Sequence, residues 1–477
     1  MKFKDMCMEP AIQKALDMLG YEKPTLVQEN VIPCIQKQQN VIVRAKTGSG
    51  KTAAYAIPIL HTVVWEENKP QCLVLVPTRE LAMQIRDNFT KIGLYKRIKV
   101  VTLVGKQPYH FQEQDLRQKT HIVVGTPGRV WEHIQRGTLD VSRLQYFVLD
   151  EVDEMLHIGF LPTVESILSN ISSSCCKTMF SATISSEIQE LAKTYMQDAN
   201  MIEIQKEGEV PSNIEHGIYH VHEQEKKDFL MKLLVKEKPM AAILFVRTQE
   251  NVEDLYTYLE EFELSVCKLH GGMLQEERME NIKAFRKGKK RFLVASDVAA
   301  RGIDIMDISH VINYDFPLEV ESYIHRMGRT GRKEKKGTVI SFVTRQDKIR
   351  KERVEAYIGE ALPQEDKKLL QQVEVLEEAL QSLRRLFLER EKEEYVDKDI
   401  LMLYINSGKK KKTRPQDFVG ALCEIEGICA EDIGTIQIQD YHSYVQILNG
   451  KGQKVCNTLQ KVKGKKVKVE IAKDHCS

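Results

Sequence analysis

No apolar run in this chain of 477 residues approaches the roughly 20 residues that a bilayer-spanning helix needs. The first ten residues, MKFKDMCMEP, contain no apolar stretch of the secretory kind. Cysteine is sparse for the length, ten in all, and none is spaced as paired zinc ligands. These absences argue against a membrane chain and a disulfide-stapled one, and predict reduced thiols in a cytoplasmic protein. The adjacent Cys175 and Cys176 are read as ordinary strand-edge residues. What is present is ample core material: 42% of residues are hydrophobic and 29% charged, in a chain long enough for about three domains. The net charge of +2 conceals an imbalance. Residues 400–477 hold 13 Lys and Arg against 8 Asp and Glu. That basic end predicts a polyanionic partner, with a solvated lysine surface as the alternative.

Short β-branched runs at 41–43, 73–76, 122–124 and 147–149 alternate with helix-like stretches. Runs that are apolar at every position predict parallel strands covered on both faces. That makes a doubly wound α/β domain, whose ligands bind at the carboxyl ends of its strands. Residues 206–213, KEGEVPSN, break the pattern and are read as a linker. A second set of runs, at 241–246, 292–295, 311–312 and 339–343, predicts another α/β domain ending near 359–363. Residues 364–398 contain no Gly or Pro, and Leu369, Val373, Leu376, Leu380, Leu383 and Leu386 form one apolar stripe. Helix is predicted there, either docked on the second domain or serving as a connector. The divisions are accordingly 1–207, 208–362, a charged helical connector at 363–399, and 400–477. In the last, strands at 401–405, 435–438, 444–448 and 467–471 and helices at 415–425 and 455–462 give the order βαββαβ. That is a small antiparallel sheet backed by two helices.

The strongest local signal is Ala45-Lys46-Thr47-Gly48-Ser49-Gly50-Lys51-Thr52, between a predicted strand and a predicted helix. Glycines let main-chain N–H groups approach phosphate. In such a loop Lys51 reaches the β- and γ-phosphates of a nucleotide and the Thr52 hydroxyl ligates Mg²⁺. Asp150-Glu151 follows the predicted strand at 147–149. There Asp150 suits holding the metal, directly or through water, and Glu151 suits polarising an attacking water, although acidic residues also favour helix starts. In the second domain, His325-Arg326-Met327-Gly328-Arg329-Thr330-Gly331-Arg332 sets three arginines at three-residue spacing. Guanidinium forks suit phosphate oxygens, and a basic surface turn is the alternative.

Together these segments resemble the DEAD-box ATP-dependent RNA helicases of superfamily 2, over nearly the whole chain to about residue 360. The resemblance implies two RecA-like domains closing on ATP and RNA. Gly20-Tyr21-Glu22-Lys23-Pro24-Thr25-Leu26-Val27-Gln28 looks like the Q motif, in which Gln28 reads the adenine edge. An amide donates and accepts at once, as adenine requires. Phe3, 17 residues before Gly20, stands where the family has an upstream aromatic at the nucleotide. Pro77-Thr78-Arg79-Glu80-Leu81-Ala82 and Thr126-Pro127-Gly128-Arg129 match RNA-backbone motifs, and Ser181-Ala182-Thr183 the motif coupling ATP state to closure. Gly271 with Gln275 and Arg278 resembles another RNA-contact region. Asp304, in Ser296-Asp297-Val298-Ala299-Ala300-Arg301-Gly302-Ile303-Asp304, is implied to contact the ribose. By the same likeness Arg329 and Arg332 are the fingers at the γ-phosphate, while His325 and Arg326 couple the domains.

Three departures stand out. The signature tetrad reads Asp150-Glu151-Val152-Asp153, with Val for the usual Ala; Gly105-Lys106 replaces a glycine doublet; Ser296 replaces a Thr. The added volume of Val152 could cost about 1–3 kcal/mol in a tight site.

The C-terminal βαββαβ segment is similar to the RNA-recognition-like domain of the DbpA-type subgroup, most closely over 406–418. Tyr404 lies in the first strand motif, and 444–447 is a degenerate second one, so Tyr404 and Tyr444 are each read as half-core residues, with base stacking as the alternative. Lys409, Lys410, Lys411 and Lys412 supply a phosphate surface. The subgroup implies tethering to a hairpin of 23S-type ribosomal RNA in the pre-ribosomal large subunit. The expected activity is RNA-dependent hydrolysis of ATP with Mg²⁺, remodelling RNA by local strand separation. An ATP-gated RNA clamp, a DNA helicase and a general RNA-turnover or cold-response helicase are the alternatives. A monomer is expected, and no membrane partner.

Overall fold

The computed structural model describes residues 2–6, 8–45, 48–204, 213–300, 308–331, 336–385 and 399–472. Of the linker read at 206–213, residues 206–212 therefore lie outside the described residues. In the first lobe, β1 (Val41–Arg44), β2 (Cys72–Leu75), β3 (Val100–Leu103), β4 (Ile122–Gly125), β5 (Tyr146–Leu149), β6 (Cys176–Ser181) and β7 (Asn200–Glu203) form one sheet. Its order is β3-β4-β2-β5-β6-β1-β7 and every pair is parallel. The alternation of the pleat explains the continuous apolar runs. Val41 and Val43 enter the core on one face, with Cys72 and Val74, while Leu73, Leu75, Phe147 and Leu149 enter the core on the other. The order matters for function. The carboxyl ends of β5, β6 and β1 are neighbours, so the turns after Leu149, Ser181 and Arg44 meet at one edge.

The second lobe repeats the plan with β8 (Ile214–His220), β9 (Ala242–Val246), β10 (Val266–Leu269), β11 (Phe292–Ser296), β12 (His310–Asn313) and β13 (Gly337–Val343). They lie parallel in the order β10-β11-β9-β12-β13-β8.

Residues 364–385 differ from the single helix the stripe suggests. Two short helices, Lys367–Gln371 and Glu377–Arg384, flank an interruption. Leu370, Leu380 and Leu383 are buried in a core of the second lobe, and Val373 and Val375 pack against the same core. Two residues at i and i+2 cannot share one face of a helix, so seating both opens the chain there. Of the two readings of this stretch, docking is what 367–384 displays; the side chain of Leu369 and all of Leu386 lie outside the described residues. Arg291 fixes the dock. It is buried, and its guanidinium donates to Pro239 O (2.7 Å), Ser382 O (2.8 Å), Leu383 O (2.9 Å) and Arg385 O (3.1 Å). It thus holds the last carbonyls of the second helix, which lack intrahelical partners.

The C-terminal unit has β14 (Leu401–Ile405), β15 (Ile433–Ile438), β16 (Ser443–Ile447), the short pair β17 (Lys461–Val462) and β18 (Lys465–Lys466), and β19 (Val469–Ile471). The main sheet is antiparallel, ordered β15-β16-β14-β19. Helices Pro415–Cys423 and Gly452–Thr458 cover one face, over Leu403, Ile405, Val445 and Ile447. The second helix ends at Thr458, earlier than predicted, because Lys463 and Gly464 both take positive φ (52° and 72°) and close a tight hairpin. This unit touches the first lobe, where Arg97 Nε donates to Ile433 O (2.9 Å) and Nη2 to Ala430 O.

Arg291→Met keeps the volume and leaves those carbonyls without their donor. It should destabilise the docked segment by on the order of 1–3 kcal/mol. Amide hydrogen exchange over 367–384 should accelerate accordingly, while exchange in β1 to β6 stays as it is.

Candidate functional site

The phosphate-type loop runs from Ala45, buried at the end of β1, to the helix Lys51–Thr62. Lys46 and Thr47 lie outside the described residues. Gly48 and Gly50 both have positive φ, 80° and 89°. A Cβ on Gly50 would come within 2.5 Å of Gln28 Nε2, so only glycine lets the two segments close. Thr25 Oγ1 donates to Ser49 O (2.9 Å) and Gln28 Nε2 to Gly50 O (3.2 Å), while Gln28 Oε1 accepts from Thr25 N (2.9 Å). The Gln28 amide therefore keeps one N–H and one lone pair, the complement of an adenine edge. Phe3 is 1% exposed and meets Tyr21 edge-on at 5.7 Å. It braces Tyr21 and offers no open face of its own.

Lys51 is the second residue group a nucleotide would need. Its Nζ is buried, has no hydrogen-bond partner among the described residues, and lies 3.9 Å from Asp150 Oδ1. An orphaned buried ammonium beside a glycine-rich turn fits a phosphate oxygen. Asp150 is 2% exposed and accepts from Tyr55 Oη and from Glu151 N, both at 3.0 Å. Burial pushes its carboxyl up to about 6, against the pull of Lys51. Asp150 and the half-buried Thr52 could hold a divalent cation between protein and phosphate. Among the described residues no group of three or more His, Cys, Asp or Glu could hold a metal alone. That fits Mg²⁺, which is commonly bound through one or two carboxylates together with substrate phosphates. Glu151 caps the helix Val152–His157 with φ 55°, ψ 54°. For a non-glycine residue this left-handed turn costs about 1–2 kcal/mol, and it sets Glu151 off the axis of β5. Val152 is buried in the core with Leu149 and Met155.

Asp153 joins three segments. Its Oδ2 accepts from Ala182 N (3.0 Å), Thr183 N (3.0 Å) and Thr183 Oγ1 (3.3 Å), and its own N–H donates to Ser181 Oγ (3.2 Å). From the second lobe, His325 Nε2 stands 3.7 Å from the same oxygen, and His325 Nδ1 is 3.9 Å from Glu154 Oε2. Burial pushes the His325 imidazole down, but the charges of Asp153, Glu151 and Glu154 outweigh it and hold its pKa above the ordinary value. Asp153, despite burial, is held well below the usual carboxylate range by His325, Lys51 and its N–H donors. Arg326 is placed otherwise. It forms a bidentate pair with Asp297 (2.6 Å twice) and donates to Asn313 Oδ1 (2.9 Å) and Asp315 O (2.8 Å), all within its own lobe. Arg329 is buried. Asp304 and Arg332 lie outside the described residues.

A second inter-lobe contact centres on Glu80, which the sequence reading quoted within a motif but gave no role of its own. It accepts from Gln275 Nε2 (3.0 Å) and pairs with Arg278 Nη2 (2.9 Å). Arg278 Nε is buried without a hydrogen-bond partner among the described residues. Burial lowers the pKa of Arg79, with the charges of Arg278 and Arg129 adding to the effect. Arg79 thus feels the charges of two other guanidinium groups, an arrangement suited to an added polyanion. Pro77 is buried, and Thr78 caps the helix Arg79–Ile92 by accepting from Leu81 N (3.3 Å). Thr126 and Pro127 open the helix Pro127–Gln135, and nothing lies within 4 Å of a Cβ built on Gly128. That helix start is open to a phosphate. Gly271 lies against Gln249.

On the C-terminal sheet, Tyr404 and Tyr444 are cross-strand partners on the face opposite the core, with rings 5.9 Å apart. His442, which the sequence reading missed, lies 5.1 Å from Tyr404 and 5.2 Å from Tyr444. The half-core reading of the two tyrosines is therefore replaced by an outward cluster of three rings. Beside it Lys410 contacts the exposed Tyr441, and Lys409, Lys411 and Lys412 complete the basic turn.

Comparison with known proteins agrees along the chain. Residues 25–191 match the DEAD/DEAH box helicase family, 225–334 the helicase conserved C-terminal domain and 402–471 the DbpA RNA binding domain. The ATP-dependent RNA helicase DbpA of Bacillus subtilis (strain 168) is 46% identical over 476 residues, covering 98% of this chain and 99% of that protein. The DEAD-box ATP-dependent RNA helicase CshA of Geobacillus kaustophilus is 40% identical over 72% of this chain and 73% of its own. The structure of S. cerevisiae Dbp5 bound to RNA and ADP BeF3 superimposes with a TM-score of 0.71 at 29% identity, over 80% of this chain and all of that one. The chain belongs to the DEAD-box family of ATP-dependent RNA helicases. Within it, this is a helicase of the DbpA type, whose two-lobed core carries a C-terminal RNA-binding domain.

The charge of His325 is complete below the ordinary histidine pKa of about 6.5 and is lost as pH rises through its raised value. The inter-lobe pair with Asp153 weakens over that window. RNA-stimulated ATP turnover should fall along the alkaline limb of a pH profile, and His325→Gln should flatten that limb.

Proposed function

We propose that this helicase couples ATP hydrolysis in the cleft to local separation of structured RNA, and that its C-terminal domain directs it to large-subunit ribosomal RNA during ribosome assembly in the cytoplasm. The observation that carries the coupling is the Asp153 carboxylate, which holds the Ser181-Ala182-Thr183 turn of one lobe and faces His325 of the other. Gln28 reads the adenine, and the loop from Ala45 through Gly48, Ser49 and Gly50 cradles the phosphates. Lys51 neutralises the β- and γ-phosphates. Thr52 and Asp150 would hold Mg²⁺, which supplies charge neutralisation to the transferring phosphoryl group. Glu151 orients a water and takes its proton as the water oxygen bonds the γ-phosphorus. The bond from that phosphorus to the β–γ bridging oxygen breaks, and ADP and phosphate leave. Arg329 approaches from the second lobe. Arg326 acts by holding the start of the helix Asp297–Ala300.

RNA lies along Thr78, Arg79, the helix start after Thr126 and Arg129 of the first lobe, and Gly271, Gln275 and Arg278 of the second. These groups contact backbone, so the core carries little sequence preference. ATP and RNA each favour the closed pair of lobes, which makes their binding mutually cooperative. Address comes from the C-terminal domain. Tyr404, His442 and Tyr444 offer stacking faces and Lys409, Lys410, Lys411 and Lys412 a phosphate surface, the combination by which folded RNA loops are read. Tethering then raises the local concentration of nearby duplexes.

The test is steady-state ATP turnover with ribosomal RNA carrying the large-subunit hairpin, with unrelated structured RNA, and with DNA. Half-maximal stimulation at a concentration at least about tenfold lower for the ribosomal RNA is expected, equivalent to roughly 1.4 kcal/mol of preference. Equal stimulation by both RNAs would remove the ribosomal target. Turnover without loss of duplex would make the protein an ATP-gated clamp.

A further inference from the structure

Gln112 lies in the helix Tyr109–Leu116 and is 2% exposed, outside every motif quoted above. Its amide is completely used. Nε2 donates to Val104 O (2.8 Å) and to Gln107 Oε1 (3.1 Å). Oε1 accepts from Arg129 Nη1 (3.1 Å) and faces His133 Nε2 (3.2 Å). An amide has two donors and two lone pairs, so all four positions are filled and neither a flip nor a water can substitute. Because both N–H groups are committed to oxygens, Oε1 must be the acceptor, and His133 must carry its hydrogen on Nε2. The imidazole is fully buried, burial pushes its pKa down to about 4, and its ring stacks on Tyr109 at 4.1 Å. It is a neutral donor at physiological pH.

The consequence falls on Arg129. Its Nη1 also donates to Gln107 O (3.0 Å), and its Nε pairs with Glu132 Oε2 (3.1 Å). Three of the five guanidinium N–H groups are therefore held, and the two on Nη2 have no partner among the described residues. The same amide ties both ends of the turn that carries Lys106, a non-glycine residue at φ 60°. We propose that Gln112 is a positioning residue for RNA activation, holding the Arg129 guanidinium and the Lys106 turn in register so that both present their charge to the same stretch of RNA backbone. This rests on the reading of Arg129 as an RNA contact. Gln112 touches no RNA itself and acts through Arg129 and the turn.

The test is RNA-stimulated ATP turnover of the full chain with a short single-stranded RNA. Gln112→Met keeps length and removes all four bonds. It should raise the RNA concentration for half-maximal stimulation about tenfold, the worth of one charge-assisted hydrogen bond, with RNA-free turnover and the KM for ATP unchanged. Arg129→Ala should raise that concentration as well, and the double variant should be no worse than Arg129→Ala alone. Gln112→Glu keeps an acceptor facing Arg129 but sets a carboxylate oxygen against Val104 O and Gln107 Oε1, so it should recover part of the loss at most. If Gln112→Met does not fold, Gln112→Asn, which draws the amide back by one methylene, should move the same quantity in the same direction by a smaller factor. An unchanged RNA requirement in the Met or Asn variant, or additive effects with Arg129→Ala, would overturn the role of Gln112 while leaving the Arg129 reading in place. No effect of Arg129→Ala would overturn both.

Discussion

The carboxylate of Asp153 is the point on which the cleft depends. A buried carboxylate is costly unless hydrogen bonds and charge surround it. Here the main-chain N–H groups of Ala182 and Thr183 supply the hydrogen bonds, and His325 of the other lobe supplies the charge. The two sources are unequal in permanence. The N–H donors belong to the adjacent strand end of the same lobe, so their contact with Asp153 does not require the second lobe. The imidazole arrives only with the second lobe. The inter-lobe contact is thus built on a group already paid for within one lobe, so opening and closing need not expose an unsatisfied carboxylate.

This economy follows from strand order. Because β6 lies between β5 and β1, the turns that carry Asp150 to Asp153, Ser181 to Thr183 and Gly48 to Lys51 converge at neighbouring carboxyl ends. Local backbone then sharpens the placement. Gly50 at φ 89° lets Gln28 reach the loop carbonyl, and Glu151 at φ 55° departs from the strand direction. Such departures persist only where the surroundings over-determine them, and here the buried Asp150 and Val152 fix both flanks.

Much of this was legible in the sequence because the signals were local. Strands buried on two faces read as unbroken apolar runs, and the glycine-rich loop, the acidic tetrad and the arginine series are contiguous. What was not legible depends on partners distant in the chain. Asp153 was visible as part of a tetrad but not as a junction, because its partners stand about 30 and 170 residues away. Glu80 stood inside a motif that did not announce its bonds across the lobes, and Gln112 stood in none. Arg326 read as a bridge between lobes, yet its named partners lie in its own. The apolar stripe at 364–386 promised one helix, and only the shape of the second-lobe core, which takes both Val373 and Val375, divides it. Tyr404 and Tyr444 could be placed on the outer face only once the register with Leu403, Ile405 and Val445 was known.

The most direct measurement is the affinity for single-stranded RNA with and without a non-hydrolysable ATP analogue, in the parent chain and in Asp153→Asn. The substitution keeps shape and removes the charge that His325 meets. In the parent the analogue should tighten RNA binding within the range of about 5–150-fold typical of coupled sites. In Asp153→Asn each ligand should bind alone much as before, and that factor should collapse toward one. An undiminished factor in the variant would contradict the account, because closure would then not run through this carboxylate.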